Sequence, residues 1–109
     1  MRVLKFIVDQ QTIKPDPACN FDGLIPGTEG YLKAEFSFSP EWDKCVKIAS
    51  FWSMLGREYM PEVLKDGCSC MIPAEALRRK KFKMQIMGKK GNTKLVTNKI
   101  TITQNGGKT

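Results

Sequence analysis

The chain has 109 residues, 41% of them apolar and 27% charged, which suits one domain able to bury its own core. Its 18 basic and 11 acidic residues leave a formal net charge of +7. The absence of histidine removes the commonest general base and the commonest zinc ligand. Residues 1–8 are too few and too charged for a secretory signal, and no apolar run approaches the ~20 residues of a membrane helix. The expectation is a soluble protein made in a cytosol, with no membrane partner.

Residues 2–8 open the chain as a strand that is apolar on both sides, Leu4, Phe6 and Val8 alternating with Val3, Lys5 and Ile7. Residues 9–11 turn it and residues 11–14 are expected to pair back as a short second strand. Proline, glycine, asparagine and aspartate then dominate residues 15–30, which predicts a long loop pinned to the core by Phe21, Leu24 and Ile25. In residues 31–38 the alternation is strict: Leu32, Ala34, Phe36 and Phe38 on one face, Tyr31, Lys33, Glu35 and Ser37 on the other. Pro40 lacks the N–H of a ladder residue and ends the strand, and Trp42 is placed to plug that end of the core, its indole N–H on a carbonyl.

Residues 45–53 form the next strand, read with Ala49 and Phe51 inward and Lys47 snorkelling at the edge. Pro61 makes the return over residues 57–64 an edge strand or a broken one. After the turn at Asp66-Gly67, Cys68, Cys70 and Ile72 share the face of a short strand. One helical turn follows at residues 73–77, with Pro73 at its start and Glu75 near its positive end. Residues 80–87 alternate with Phe82, Met84 and Ile86 inward, residues 88–92 form a hairpin tip, and residues 93–103 close the fold. Residues 104–109 carry no apolar side chain and are expected to be a loose tail after a single domain at 1–103. Seven to eight antiparallel strands with turn signals between them predict an all-β sandwich of Ig-like or jelly-roll type. Its core is Leu32, Phe36, Phe38, Trp42, Phe82, Met84 and Ile86.

Chemistry is sparse. The four cysteines, Cys19, Cys45, Cys68 and Cys70, include no CxxC pair and are expected to be reduced, with Cys45, Cys68 and Cys70 buried. No glycine-rich segment ends in the Lys-Ser/Thr of a phosphate loop, and the acids are scattered. The reading is therefore no enzyme, no cofactor and no metal, with a thiol-dependent or metal-binding protein as a minor rival.

Charge is the strongest lead. Residues 1–66 carry 8 basic and 10 acidic side chains, whereas residues 67–109 carry 10 basic side chains and only Glu75. Arg78, Arg79, Lys80, Lys81, Lys83, Lys89, Lys90 and Lys94 form the candidate partner-binding surface, with an acidic protein as the expected partner and a merely solvated basic face as the plainer reading. A nucleic-acid-binding β-barrel is the alternative, weakened by the lack of outward aromatics beside Gln85 and Met87.

The series Phe36-Ser37-Phe38-Ser39 with Trp42, followed by Lys47-x-Ala49-x-Phe51, resembles the N-terminal domain of baseplate upper and receptor-binding-type tail proteins. These belong to phages and prophages of Gram-positive bacteria. The likeness continues through Cys70-Met71-Ile72-Pro73-x-Glu75-x-Leu77, residues 82–88 and Thr97-Asn98-Lys99-Ile100-Thr101-Ile102, and so spans about residues 2–103. It implies a β-sandwich of the virion that docks on other virion proteins (capsid, neck, baseplate or fibre) and is a homo-oligomer in the assembled particle. Family members run on into a fibre or receptor-binding segment. An end at Thr109 extends the expectation to a head decoration, an adaptor of neck or baseplate, or the base of a fibre made by another chain.

Overall fold

A computed structural model describes residues 1–106. These residues fold as an all-β sandwich, with nine strands among them in two packed sheets. The first sheet holds β1 (Arg2–Asp9), β2 (Thr12–Pro15), β3 (Leu32–Phe38) and β6 (Ser69–Met71), in the order β2-β1-β3-β6. The second holds β4 (Val46–Ser53), β5 (Glu62–Val63), β7 (Lys81–Lys90), β8 (Thr93–Val96) and β9 (Ile100–Thr103). There β4 lies between β5 and β7, while β8 and β9 share the other edge of β7. One helical turn, α1 (Ala74–Leu77), precedes β7, and a 3-10 turn, Pro40–Trp42, follows β3. No helix among the described residues is long and apolar enough to cross a membrane.

Not every pair is antiparallel. β1 and β3 run parallel, from Arg2 opposite Leu32 to Val8 opposite Phe38. A parallel partner cannot be reached by a hairpin, because the chain must travel back along the sheet before starting the second strand. That return is the work of the long loop between β2 and β3, the stretch whose composition already marked it as irregular. The loop is held to the core by Leu24, which is buried, and Phe21, whose ring meets Phe6 edge-on with centroids 5.4 Å apart. Ile25, expected to help, is instead 54% exposed, since Leu24 alone takes the inward position at that bend.

Leu32, Phe36, Trp42, Phe82, Met84 and Ile86 are buried as expected, joined by Leu4, Phe6, Val8, Ala49 and Phe51. Phe38 is a correction. It is only partly buried, because β3 ends there and the facing sheet offers Lys47 in place of an apolar side chain. The Lys47 ammonium sits 5.0 Å from the Phe38 ring centroid and donates to the Cys45 carbonyl at 3.4 Å, so its stem is buried and its charge partnered. Trp42 closes this end as predicted, its indole N–H donating to the Gln10 carbonyl at 2.7 Å.

Two further expectations change. The closing segment is two strands, not one, because the chain leaves the β7 ladder at Thr97. There the Ile86 N–H donates to the Thr97 hydroxyl at 3.1 Å, and the side chain of Asn98 reaches the other sheet. The Ile13 N–H donates to Asn98 Oδ1 at 2.8 Å and the Asn98 N–H to the Gln11 carbonyl at 3.1 Å, which covers the free edge of β2. The tail is also not loose at its start. Gln104 is 1% exposed, and its side-chain amide donates to the Leu77 carbonyl at 2.9 Å and the Arg79 carbonyl at 2.8 Å. These carbonyls belong to the end of α1 and its exit, where helical turns leave acceptors open. The remaining tail, residues 107–109, lies outside the described residues.

Candidate docking face

Strand β7 is ten residues long, about 30 Å at the rise of a β-strand, and it distributes the basic side chains singled out in the sequence. Arg78, Arg79 and Lys80 lie on the connection from α1, exposed, beside the first residue of β7. Lys81 and Lys83 occupy outward positions near that end, because Phe82 and Met84 are buried. Lys89 points outward at the far end, directly opposite Lys94 across the β7–β8 hairpin. Lys90 has the opposite parity, and its ammonium donates to the Asp43 carbonyl at 3.1 Å. The eight residues therefore form two groups at opposite ends of the second sheet. They are not one patch.

What lies between the groups was not apparent from the sequence. Ile48 of β4 is opposite Val63 of β5 on one side and Met87 of β7 on the other, and Met87 is opposite Val96 of β8. Residues directly opposite in antiparallel strands project from the same face. Val63, Ile48, Met87 and Val96 thus form one apolar row across four strands of the outer face, with Val63 50% exposed. Val46, 63% exposed, extends it along β4 on one side of Ile48, while on the other side the polar pair Ser50 and Gln85 separates Ile48 from Trp52. Trp52 is opposite Lys83, and the Lys99 ammonium stands 4.2 Å from a Trp52 ring centroid. Lysines 81, 83 and 99 border the row at one end and lysines 89 and 94 at the other; the acid paired into this face is Glu58, bridged opposite Trp52 at the lysine 83 and 99 end. Strand parity placed Ile48 and Trp52 outward from the sequence, but only the register aligns them with Met87, Val96 and Val63. Lys99 carried no signal in the sequence.

The chain matches no family model, no curated protein and no solved structure.

The outer face of the first sheet is different in kind. Lys5 is opposite Glu35, and Lys33 is opposite Val3 and Met71, so acids and bases are interspersed there. The acids of the first half lie mostly in loops, and the contrast in charge between the sequence halves becomes a contrast between one predominantly basic sheet face and a mixed surface elsewhere.

The cysteines are four free thiols. Cys45 and Cys70 are buried, as expected, but Cys68 is exposed because it falls in the turn before β6. Burial pushes the Cys70 thiol up to about 12, with the negative charges of Glu62 and Asp66 adding to the effect. Cys68 is raised as well, by partial desolvation and then by Asp66. The Asp66 carboxylate is held well below its usual range by the Ser69 hydroxyl and by the N–H groups of Cys68 and Ser69, which donate to it at 3.0 and 2.8 Å. It remains charged beside both thiols. Neither cysteine is set up as a nucleophile, which requires a lowered pKa. Among the described residues no three His, Cys, Asp or Glu side chains gather into a metal-binding cluster. At pH 8 the thiolate fraction of Cys70 is about 10⁻⁴, so alkylation of the native protein should be very slow there and fastest at the outlying thiols. A thiol titration of the denatured, unreduced protein should return all four, and reductant should leave the melting temperature unchanged. A count of two would require a disulfide and a different account of these side chains.

Proposed function

We propose that this domain is a non-enzymatic docking module, and that the basic outer face of its five-stranded sheet is the surface that docks. The observation that carries the reading is the row Val63, Ile48, Met87 and Val96, half-buried to exposed on the outer face and bordered at both ends by lysines, with Glu58 opposite Trp52 at one of them. An apolar centre with a charged border is the anatomy of a protein interface, where the centre supplies most of the binding energy and the border sets partner choice and association rate. The partner that fits is a protein with an apolar patch bordered by carboxylates. The likeness in sequence to phage baseplate and tail proteins supports a bacteriophage or prophage virion as the setting, with another virion protein as that partner and repeated copies in the particle.

A nucleic acid fits this face less well. Its one outward aromatic, Trp52, is already covered by Lys99, and the lysines leave an apolar band in the middle where a phosphate chain needs cations.

Met87→Asp tests the reading at the middle of the row. The side chain is outward, so melting should change little. Incorporation of the variant into purified particles should fall about thirtyfold or more, the loss expected at a central interface residue. Normal incorporation of Met87→Asp would remove this face from the docking role. Tight oligonucleotide binding by the parent, with a steep salt dependence, would transfer the lysines to the nucleic-acid reading.

A further inference from the structure

A second surface lies beyond the end of the sheet, where the turn after β4 faces the connection from α1 to β7. Between them is an open cleft of about 600 Å³. Met54, Leu55 and Tyr59 supply its apolar lining. Arg57 stands on one bank and Arg79, Lys80 and Lys81 on the other, and no carboxylate lines it. A smaller adjoining hollow of about 360 Å³ shares Arg57, Tyr59 and Arg79 and adds Arg78 with Glu75. Five cations thus face one acid across the two hollows. Leu55 is 99% exposed, an apolar side chain at a loop tip with nothing of its own chain to cover it.

Both banks are held from behind. In the turn, the Ser53 N–H donates to the Arg57 carbonyl at 2.8 Å, the Arg57 N–H to the Ser53 hydroxyl at 3.0 Å and the Gly56 N–H to the Ser53 carbonyl at 3.0 Å. Gly56 takes the left-handed φ of +93° that lets the turn close. Opposite, Gln104 fastens the carbonyls of Arg79 and Lys80, the latter through its own N–H at 2.6 Å. Walls fixed in this way lose little freedom when a ligand enters, so more of the contact energy remains as affinity.

We infer that this cleft binds an acidic peptide segment carrying an aliphatic side chain, its carboxylates on Arg57, Arg79, Lys80 and Lys81 and its aliphatic group on Leu55, Met54 and Tyr59. Charge complementarity selects the acid, and the exposed Leu55 and Met54 select a ligand with apolar surface over a simple anion. The shape is an open trough, which suits a strand of chain better than an enclosed small molecule. The site shares only Lys81 with the docking face and stands without that proposal.

The probes are a short glutamate peptide with one central leucine, the same peptide with glycine at the centre, and vesicles of phosphatidylglycerol. The leucine peptide should bind the parent about tenfold or more tightly than the glycine peptide, the difference expected from covering one leucine. Leu55→Ser, which removes an exposed side chain and leaves the fold alone, should erase most of that difference. Arg79→Ser should weaken both peptides and flatten their salt dependence. Met87→Asp should change neither, which separates this site from the docking face. Equal binding of the two peptides, indifference to Leu55→Ser, loss of binding in Met87→Asp, or binding to vesicles without binding to the leucine peptide would each overturn the assignment.

Discussion

Phe36→Ala is expected to lower the stability of this domain by about 3–5 kcal/mol, out of the roughly 5–15 kcal/mol typical of a domain. Phe36 sits in the middle of β3 and is buried between two other rings. Its centroid is 5.5 Å from that of Phe6, nearly parallel, and 5.9 Å from that of Phe38. Phe6 in turn holds Phe21 and the long loop, so the cavity would open where the parallel strands β1 and β3 and the crossover between them all meet. The packed sheet above contributes Phe51 and Phe82, and neither can collapse into the gap without leaving its own ladder. Chemical denaturation should show the loss as a lower midpoint with an unchanged slope. A midpoint within error of the parent would mean that Phe36 does not face the core.

The second large effect is expected at Gly88→Ala. Gly88 has ordinary strand geometry, so conformational freedom is not what it supplies. A Cβ built there would lie 2.7 Å from Trp42 Cζ3, 2.8 Å from Cε3 and 3.2 Å from the Cβ of Cys45. The indole cannot retreat. It is fully buried, and its N–H is fixed on the Gln10 carbonyl. A single methyl should cost about 1–3 kcal/mol or more, the range for overpacking a filled core. Trp42→Leu removes both crowded ring atoms, so the double variant Gly88→Ala/Trp42→Leu should be clearly less destabilised than the sum of the two singles. Strict additivity would show that the ring and the glycine are not in contact. Because Gly88 precedes Lys89, a shift at this point would also disturb the far border of the docking face.

Placing Gly88 in a hairpin tip, as the sequence suggests, overlooks this role. Glycine beside lysines and asparagine reads as a turn, and only Gly91 and Asn92 do form the tip. The close approach of Trp42 is what requires glycine at 88, and no local pattern encodes a contact across that separation. The same limit explains the basic residues. Their parity was legible, since alternation places Lys81 and Lys83 opposite Phe82 and Met84. Their grouping was not, because adjacency across a sheet depends on which strands pair and in what register.

By itself the sequence determined the all-β class, most strand positions, the inward set on β3 and β7, the plug at Trp42 and the break of the strand pattern near Pro61. These follow from period-two alternation and from the backbone limits of proline and glycine, both of which act within a few residues. The tertiary structure alone decided the parallel pairing of β1 with β3, the splitting of the last strand at Thr97, and the burial of Gln104. It also decided the alignment of Val63, Ile48, Met87 and Val96 into one row. Each of these rests on hydrogen bonds or side-chain contacts between segments far apart in the chain. Gln104 shows the reason most plainly: an amide in an otherwise polar tail is buried because the open carbonyls of Leu77 and Arg79 lie within its reach once the sheet has formed.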